Sequence, residues 1–398
     1  MSEQEGTPLS QWATVQVEAG SWVRRMFAEG QRLRALHGDD AVCDLALGQP
    51  LGEPSPAVRK ALQRAAAERG GPERFGYMPN LGYPEVRERA ARDVNFPGVT
   101  RDCVAMTGGA GAAVSLALRT FVDAGDDVIG IVPYFGEYRA YCAAVGARFV
   151  PVESHDDMSL DLEALQAALS IHTTAVILNT PNNPSGHVVD EDEMRGLASL
   201  LDAHRASTGR RVVLIVDAVY QRLVYPPAHH LNAMDYYDAT VLARSFSKDL
   251  GLAGERIGYL ALHPELCDTQ VQRGLELCQR ALGFVNAPAT MQRMLLHLDS
   301  WEVDIDPFLD RRDHALRCAR EAGLEVDAPQ GGLYLWIRSP WNDGLAFTQA
   351  LAEKLVLVAP GIAFGMPDRF RVCFTARRDA LEAAMSRIAE VGAVELTA

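Results

Sequence analysis

The chain has 398 residues, 48% hydrophobic and 23% charged, an ordinary globular composition with length enough for one large domain and a smaller one. Its formal net charge of −14 argues against a nucleic-acid or anionic-membrane surface, because either needs a concentrated basic patch. Seven scattered cysteines (Cys43, Cys103, Cys142, Cys267, Cys278, Cys318 and Cys373), with no CxxC pair, read as buried reduced thiols rather than a disulfide or zinc framework.

The N-terminal "MSEQEGTPLSQW" is acidic, with no basic segment leading into an apolar one, so it is not a secretory signal. The uncharged, apolar-rich stretch "CVAMTGGAGAAVSLAL" is too short and too glycine-rich for a membrane span, and a cytoplasmic protein is expected. "GSWVRRMFAEGQRLRALHG" has helical character and is expected to pack with the C-terminal part of the chain. From about residue 56 to 285, helix-like segments alternate with the apolar runs "CVAMTG", "DDVIGIVP", "ARFVPVE", "TAVILNTP", "RVVLIVDAVY", "ATVLARSFS" and "RIGYLAL". Continuous Val, Ile and Leu runs mark strands covered on both faces, which predicts an α/β fold with a mostly parallel seven-stranded sheet between helices. After about residue 300 the pattern changes to helix, strand, helix, strand, helix. The expected organisation is a large domain over 56–290 and a smaller α+β domain built from 1–55 and 291–398.

In open α/β sheets ligands collect beyond the carboxyl ends of strands, so the residues delivered there are the candidates. "CVAMTGGAGAA" ends in a glycine-rich turn that enters a helix and can present backbone N–H groups to a phosphate. The next runs deliver Tyr134 and Phe135, then Asn179 and the turn at Asn183, then Asp217 and Tyr220, then Arg244, Ser245, Ser247 and Lys248. Lys248 stands apart, because the chain has only three lysines. Lys60 and Lys354 fall in helical patterns as solvated charges, whereas Lys248 follows two serines in the glycine-rich segment "SFSKDLGLAGERIG". An aromatic ring, an amide, a carboxylate, a phenol, hydroxyls, a glycine-rich helix start and one lysine are the groups needed to hold a phosphorylated pyridine aldehyde as a Schiff base.

The same residues resemble the class I/II aminotransferases of fold type I, which use pyridoxal 5′-phosphate. The resemblance runs from "LALGQPLGEPSP" through "GYMPNLGYPEVRERAA", "TGGAGAA", "PYFGEY", "NTPNNPSG", "DAVYQRLVY", "SFSKDLGLAGERIGY" and "NAPATMQ" to "GGLYLW" and "FRVCF". "SWVRRMFAEG" is similar to the N-terminal segment of an aspartate-aminotransferase-like subgroup, and the spacing of Asn183, Asp217, Lys248 and Arg371 is also like the family's. The resemblance implies that Lys248 forms the internal aldimine with the cofactor and later carries the proton. Asp217 would keep the pyridine nitrogen protonated, Tyr220 and Asn183 would bond the phenolic oxygen, and Phe135 would stack on the ring. Gly109 and Ala110 with Ser245, Ser247 and Arg256 would hold the phosphate. Tyr77 would reach the phosphate of a neighbouring subunit, which makes a homodimer the expected assembly. Arg371 would bind the substrate carboxylate, helped by Gly48 and Asn183.

The implied activity is transfer of the amino group of an L-amino acid to a 2-oxo acid. The scaffold also serves lyases, decarboxylases, synthases and oxidative enzymes, so one of these in specialised biosynthesis is the alternative. A sensor domain of a transcription factor would need a DNA-binding module or a missing lysine, and neither is seen. Ala218 stands where relatives often have Glu or Pro. His229 and His230 in "PPAHH" read as a loop, with no metal expected. A dicarboxylate substrate would want a second cation, for which Arg24, Arg25 and Arg139 are candidates. Leu252, Phe284, Tyr334 and Phe364 could line an apolar pocket, although core packing is the better expectation for each.

Overall fold

The seven apolar runs form one sheet: β1 (Val104–Thr107), β2 (Asp127–Ile131), β3 (Arg148–Val152), β4 (Thr173–Asn179), β5 (Val213–Asp217), β6 (Thr240–Ser245) and β7 (Gly258–Leu262). In this computed structural model, which describes residues 8–19, 22–49, 52–68, 70 and 72–393, the spatial order is β1-β7-β6-β5-β4-β2-β3. All neighbours are parallel except at β7, which runs antiparallel to both β1 and β6. Every residue of β1, β2, β5, β6 and β7 is buried, which accounts for the unbroken apolar runs. The edge strand β3 is the exception: it exposes Arg148 and Pro151, and a proline there removes a donor where no further strand needs one.

The crossover from β4 to β5 is a helix, Glu191–Thr208, whose start is fixed by a capping box. Asp190 accepts from the Glu193 N–H at 2.9 Å, and the Glu193 carboxylate accepts from the Asp190 N–H at 2.8 Å. Gly209, at φ 73°, ends it in the left-handed region. Because β4, β5 and β6 are parallel and in register, Asn179 lies opposite Asp217, and Asp217 opposite Ala243. The polar residues that end these strands therefore share one edge of the sheet.

The core around this sheet draws on residues from Val58 to Trp301, continuing past residue 290 through Leu295 and Leu298. A second core joins Cys43 and Leu45 to side chains between Phe308 and Val391, and takes in Tyr220, Leu223 and Tyr225 from the connection after β5. It includes an antiparallel sheet in which β9 (Arg369–Cys373) lies between Ala359–Pro360 and β8 (Tyr334–Arg338). Residues Cys43–Asp44 pair in parallel with Val356–Leu357, tying the N-terminal part of the chain to the C-terminal part. Helix Trp22–His37 packs there through Leu33, against Val42, Ala46 and Leu357.

Cys43, Cys103, Cys142 and Cys373 are buried, whereas Cys267, Cys278 and Cys318 are half-buried, and none forms a disulfide. Among the described residues no helix is long and apolar enough to cross a membrane, and no group of three or more His, Cys, Asp or Glu could hold a metal.

Candidate active site

Where the strand ends meet the second core, a cleft of about 400 Å³ opens. It is lined by Gly48, Ala110, Phe135, Asn183, Asp217, Tyr220, Ser245, Ser247, Lys248, Arg256 and Arg371. Of the residues singled out in the sequence, Gly109 lies just behind it as the cap of helix Ala110–Phe121, and Tyr77 lies outside it, fully exposed on the surface. A larger cleft, about 660 Å³, between helices Trp22–His37 and Gly344–Glu353 contains none of these side chains, although Arg25 lines it. The Arg24 side chain lies outside the described residues.

Asp217 forms the floor. Its Oδ2 accepts from the Tyr138 hydroxyl at 2.7 Å, while its Oδ1 is buried without a partner. Burial pushes the carboxyl up from 3.8 to about 6, against the bond from Tyr138, which pulls it down. Burial and the facing carboxylate in turn raise the Tyr138 phenol, so Tyr138 stays a donor. Tyr138 was not anticipated. It follows Phe135 by three residues, and the two rings meet edge to face at 5.6 Å, but its acid partner is 79 positions away in the chain.

Asn179 joins the floor to the wall. Its Nδ2 donates to the Asp217 carbonyl at 2.8 Å and its Oδ1 accepts from the Asn183 N–H at 2.7 Å. The Asn183 Oδ1 accepts from Arg371 Nη1 at 2.7 Å, and Arg371 Nη2 donates to the Ala46 carbonyl at 2.6 Å. Arg371 is 2% exposed, its Nε has no partner, and its guanidinium lies 4.1 Å from the ring centre of Tyr334 and 4.8 Å from that of Phe364. Tyr334 and Phe364 thus work on this arginine. Leu252 lies in the core beneath the sheet and Phe284 packs against it, while Arg139 donates to the Tyr134 hydroxyl at 3.1 Å.

The half-buried Lys248 donates from Nζ to the Gly48 carbonyl at 2.6 Å. Beside it, Ser245 Oγ donates to Ser247 Oγ at 2.9 Å and accepts from the Ser247 N–H at 3.1 Å. Arg256, at φ 52°, donates from Nη1 to the Ala253 carbonyl at 3.0 Å and reaches Ser247 Oγ at 3.5 Å. Gly109, at φ 99°, has a backbone conformation that strains any other residue, and a Cβ there would lie 2.9 Å from Arg256 Nη2 and displace that guanidinium. Helix N–H groups, two hydroxyls and a guanidinium therefore converge on a cup suited to a phosphate. The unpartnered Asp217 Oδ1 suits a protonated ring nitrogen, so the donor set fits a phosphorylated pyridine.

Behind the lysine lies a charge network that the sequence did not reveal. Arg222 donates from Nη1 to Asp249 Oδ2 at 2.6 Å and from Nη2 to both oxygens of Asp93 at 2.6 Å. Asp93 Oδ2 also accepts from Arg244 Nη2 at 3.2 Å and from the Tyr259 hydroxyl at 2.5 Å. Burial pushes the Asp93 carboxyl up, but Arg244 and Arg222 more than offset this and hold it below its ordinary value.

The buried Asp217 carboxyl has a measurable consequence for the ligand-free protein. With the folded value raised from 3.8 to about 6, the folded state binds a proton more readily than the unfolded state between those limits. The contribution of Asp217 to stability is greatest below pH 4 and falls as pH rises to 6, by on the order of 3 kcal/mol at 1.36 kcal/mol per pH unit. Asp217→Asn removes the titration and is expected to melt above the parent at pH 7 by more than it does at pH 4. Melting curves across this range that stay parallel would contradict it.

The family model described as aminotransferase class I and II matches residues 40–388, and that family depends on pyridoxal phosphate. A solved amino transferase of Eubacterium rectale superposes with a TM-score of 0.89 at 30% identity, covering 97% of this chain and 98% of that one. A probable aspartate aminotransferase of Methanocaldococcus jannaschii is 26% identical, with 87% of this chain and 92% of that protein covered. Aromatic-amino-acid aminotransferase 2 of Thermococcus litoralis is 25% identical, with 93% and 95% covered. These relatives do not favour the lyase, synthase or oxidative alternative. A match of this extent, over a fold and a cleft of this kind, places the chain in the class I and II aminotransferase family as a transaminase.

Proposed function

We propose that this transaminase works in the cytoplasm as a homodimer, with pyridoxal 5′-phosphate held at Lys248, an L-amino acid as donor and a 2-oxo acid as acceptor. The observation that carries the reading is the buried, unpartnered Asp217 Oδ1 in the same cleft as Lys248 and Arg371. When bound, the cofactor supplies a cationic ring that takes up the electron pair left as the substrate α-carbon loses its proton.

The chain's own residues do the rest. Asp217 Oδ1 holds the proton on the ring nitrogen, and Tyr138 keeps that carboxylate oriented through Oδ2. The Tyr220 hydroxyl and the Asn183 amide donate to the phenolic oxygen, and Phe135 covers a face of the ring. Gly109, Ala110, Ser245, Ser247 and Arg256 bind the phosphate, joined by Tyr77 of a second copy of the chain. Arg371 grips the substrate carboxylate with its planar fork, held in place by Asn183 and Ala46. Lys248 Nζ acts first as nucleophile and then as base, taking the α-proton and returning it. Its contact with the Gly48 carbonyl fixes the side chain along the cleft beforehand.

The names of the relatives span acidic and aromatic substrates, so family membership leaves the donor's side chain open. Adding single L-amino acids without any oxo acid to the cofactor-loaded protein, and following the visible absorbance, tests the reading. A true donor converts the lysine-bound band to the pyridoxamine form and leaves its 2-oxo acid. A band unchanged by every amino acid, or an eliminated product, would reject it.

A further inference from the structure

The hydroxyl that faces Tyr220 belongs to Tyr334, at the start of β8, and the two oxygens are 3.1 Å apart. Tyr220 comes from the connection after β5 and Tyr334 from the antiparallel sheet of the second core, so the pair joins two separately built parts of the chain. Tyr334 also lies where three functions meet. Its ring face carries the Arg371 guanidinium, and its hydroxyl packs so closely on Gly48 that a Cβ there would sit 1.9 Å from it. Gly48 is the residue whose carbonyl receives Lys248 Nζ.

A phenol has one proton to give and two lone pairs, so in this pair one hydroxyl donates and the other accepts. The cation over the Tyr334 ring draws electron density from it and strengthens its O–H as a donor. Tyr220 is buried beside it, and burial together with Tyr334 keeps the Tyr220 phenol protonated. The arrangement in which Tyr334 gives its proton to Tyr220 leaves the Tyr220 proton free to point into the cleft. A hydroxyl that accepts one bond donates a stronger one in turn.

We infer that Tyr334 is a positioning residue that donates to Tyr220 and thereby lowers the pH at which the lysine–cofactor linkage loses its proton. The inference rests on the reading above, in which Tyr220 donates to the phenolic oxygen. That oxygen carries the negative charge when the linkage is deprotonated, so any strengthening of its donor favours the deprotonated form. Substrate binding is also drawn in, since the guanidinium that meets the incoming carboxylate is the one that polarises Tyr334.

The test is a pH titration of the visible absorbance of the cofactor-loaded enzyme, free of substrate, in the parent, Tyr334→Phe, Tyr220→Phe and the double variant. Tyr334→Phe is expected to move the midpoint upward by about half a pH unit. Tyr220→Phe moves it upward at least as far, and adding Tyr334→Phe to it gives no further shift, because the coupling runs through the Tyr220 hydroxyl. Phenylalanine keeps the ring beneath Arg371, so the KM for the amino acid stays near the parent value while kcat falls. No shift, a downward shift, or the same upward shift with and without the Tyr220 hydroxyl would overturn the inference alone. A parent enzyme with no pH-dependent band would overturn the underlying reading and this inference with it.

Discussion

Lys248→Ala is expected to lower kcat for amino transfer by about four orders of magnitude or more, because one side chain serves as both nucleophile and base and the role of base alone is worth roughly 10²–10⁴. No other lysine can take its place. Lys60 is exposed on helix Pro56–Ala67, and Lys354 is exposed at the end of helix Gly344–Glu353. Lys248→Arg separates charge from chemistry: it keeps a cation beside Gly48, yet a guanidinium cannot shed its proton to act as a base. Both variants should be inactive, and Lys248→Arg should melt near the parent.

The same variant tests the proposed crossing of Tyr77. In a mixed dimer of Lys248→Ala and Tyr77→Ala, one of the two sites has its lysine and a partner that keeps its tyrosine. Mixing the two weak proteins under conditions that exchange subunits should restore activity. If activity stays at the sum of the separate proteins, Tyr77 serves its own subunit or none.

Arg371→Leu should reduce kcat/KM by about 30-fold to 5,000-fold, the range for losing one partner of a buried, hydrogen-bonded charge pair, roughly 2–5 kcal/mol. The loss should appear in both half-reactions, since the amino acid and the oxo acid present the same carboxylate. Arg371→Lys should recover little. A lysine offers no planar fork, and it leaves either Asn183 Oδ1 or the Ala46 carbonyl without the donor each now has. Steady-state kinetics with each substrate varied in turn would check this, and an effect confined to one half-reaction would assign the carboxylate to another cation.

All seven sheet strands were legible as apolar runs, because burial on both faces removes polar residues from every strand but the edge strand β3, which keeps Phe149, Val150 and Val152. The reversed direction of β7 was not, since burial is the same whichever way a strand runs. Lys248 stood out through the scarcity of lysine, and Asp217 through a carboxylate at the end of an apolar run, a placement costly without a partner. Tyr138 and the Arg222 network stayed hidden for one reason: their partners lie far away in sequence, and surface arginines and aspartates have the same local appearance. Tyr334 was expected to pack in a core, and it does. Its hydroxyl, turned toward Tyr220, is visible only once the two parts of the chain are assembled.

The network of Asp93, Arg222, Asp249 and Arg244 also constrains inheritance. Two carboxylates and two guanidiniums balance there, supplied by three stretches of chain: one brings Asp93, one brings Arg222 along with Tyr220, and one brings Arg244 and Asp249 along with Ser245 and Lys248. A graft of the lysine loop from a relative without an acid at 249 would strand Arg222 against Asp93 alone, with its second fork empty in a dry interior. Segments around this active site can therefore be exchanged between relatives only as a matched set.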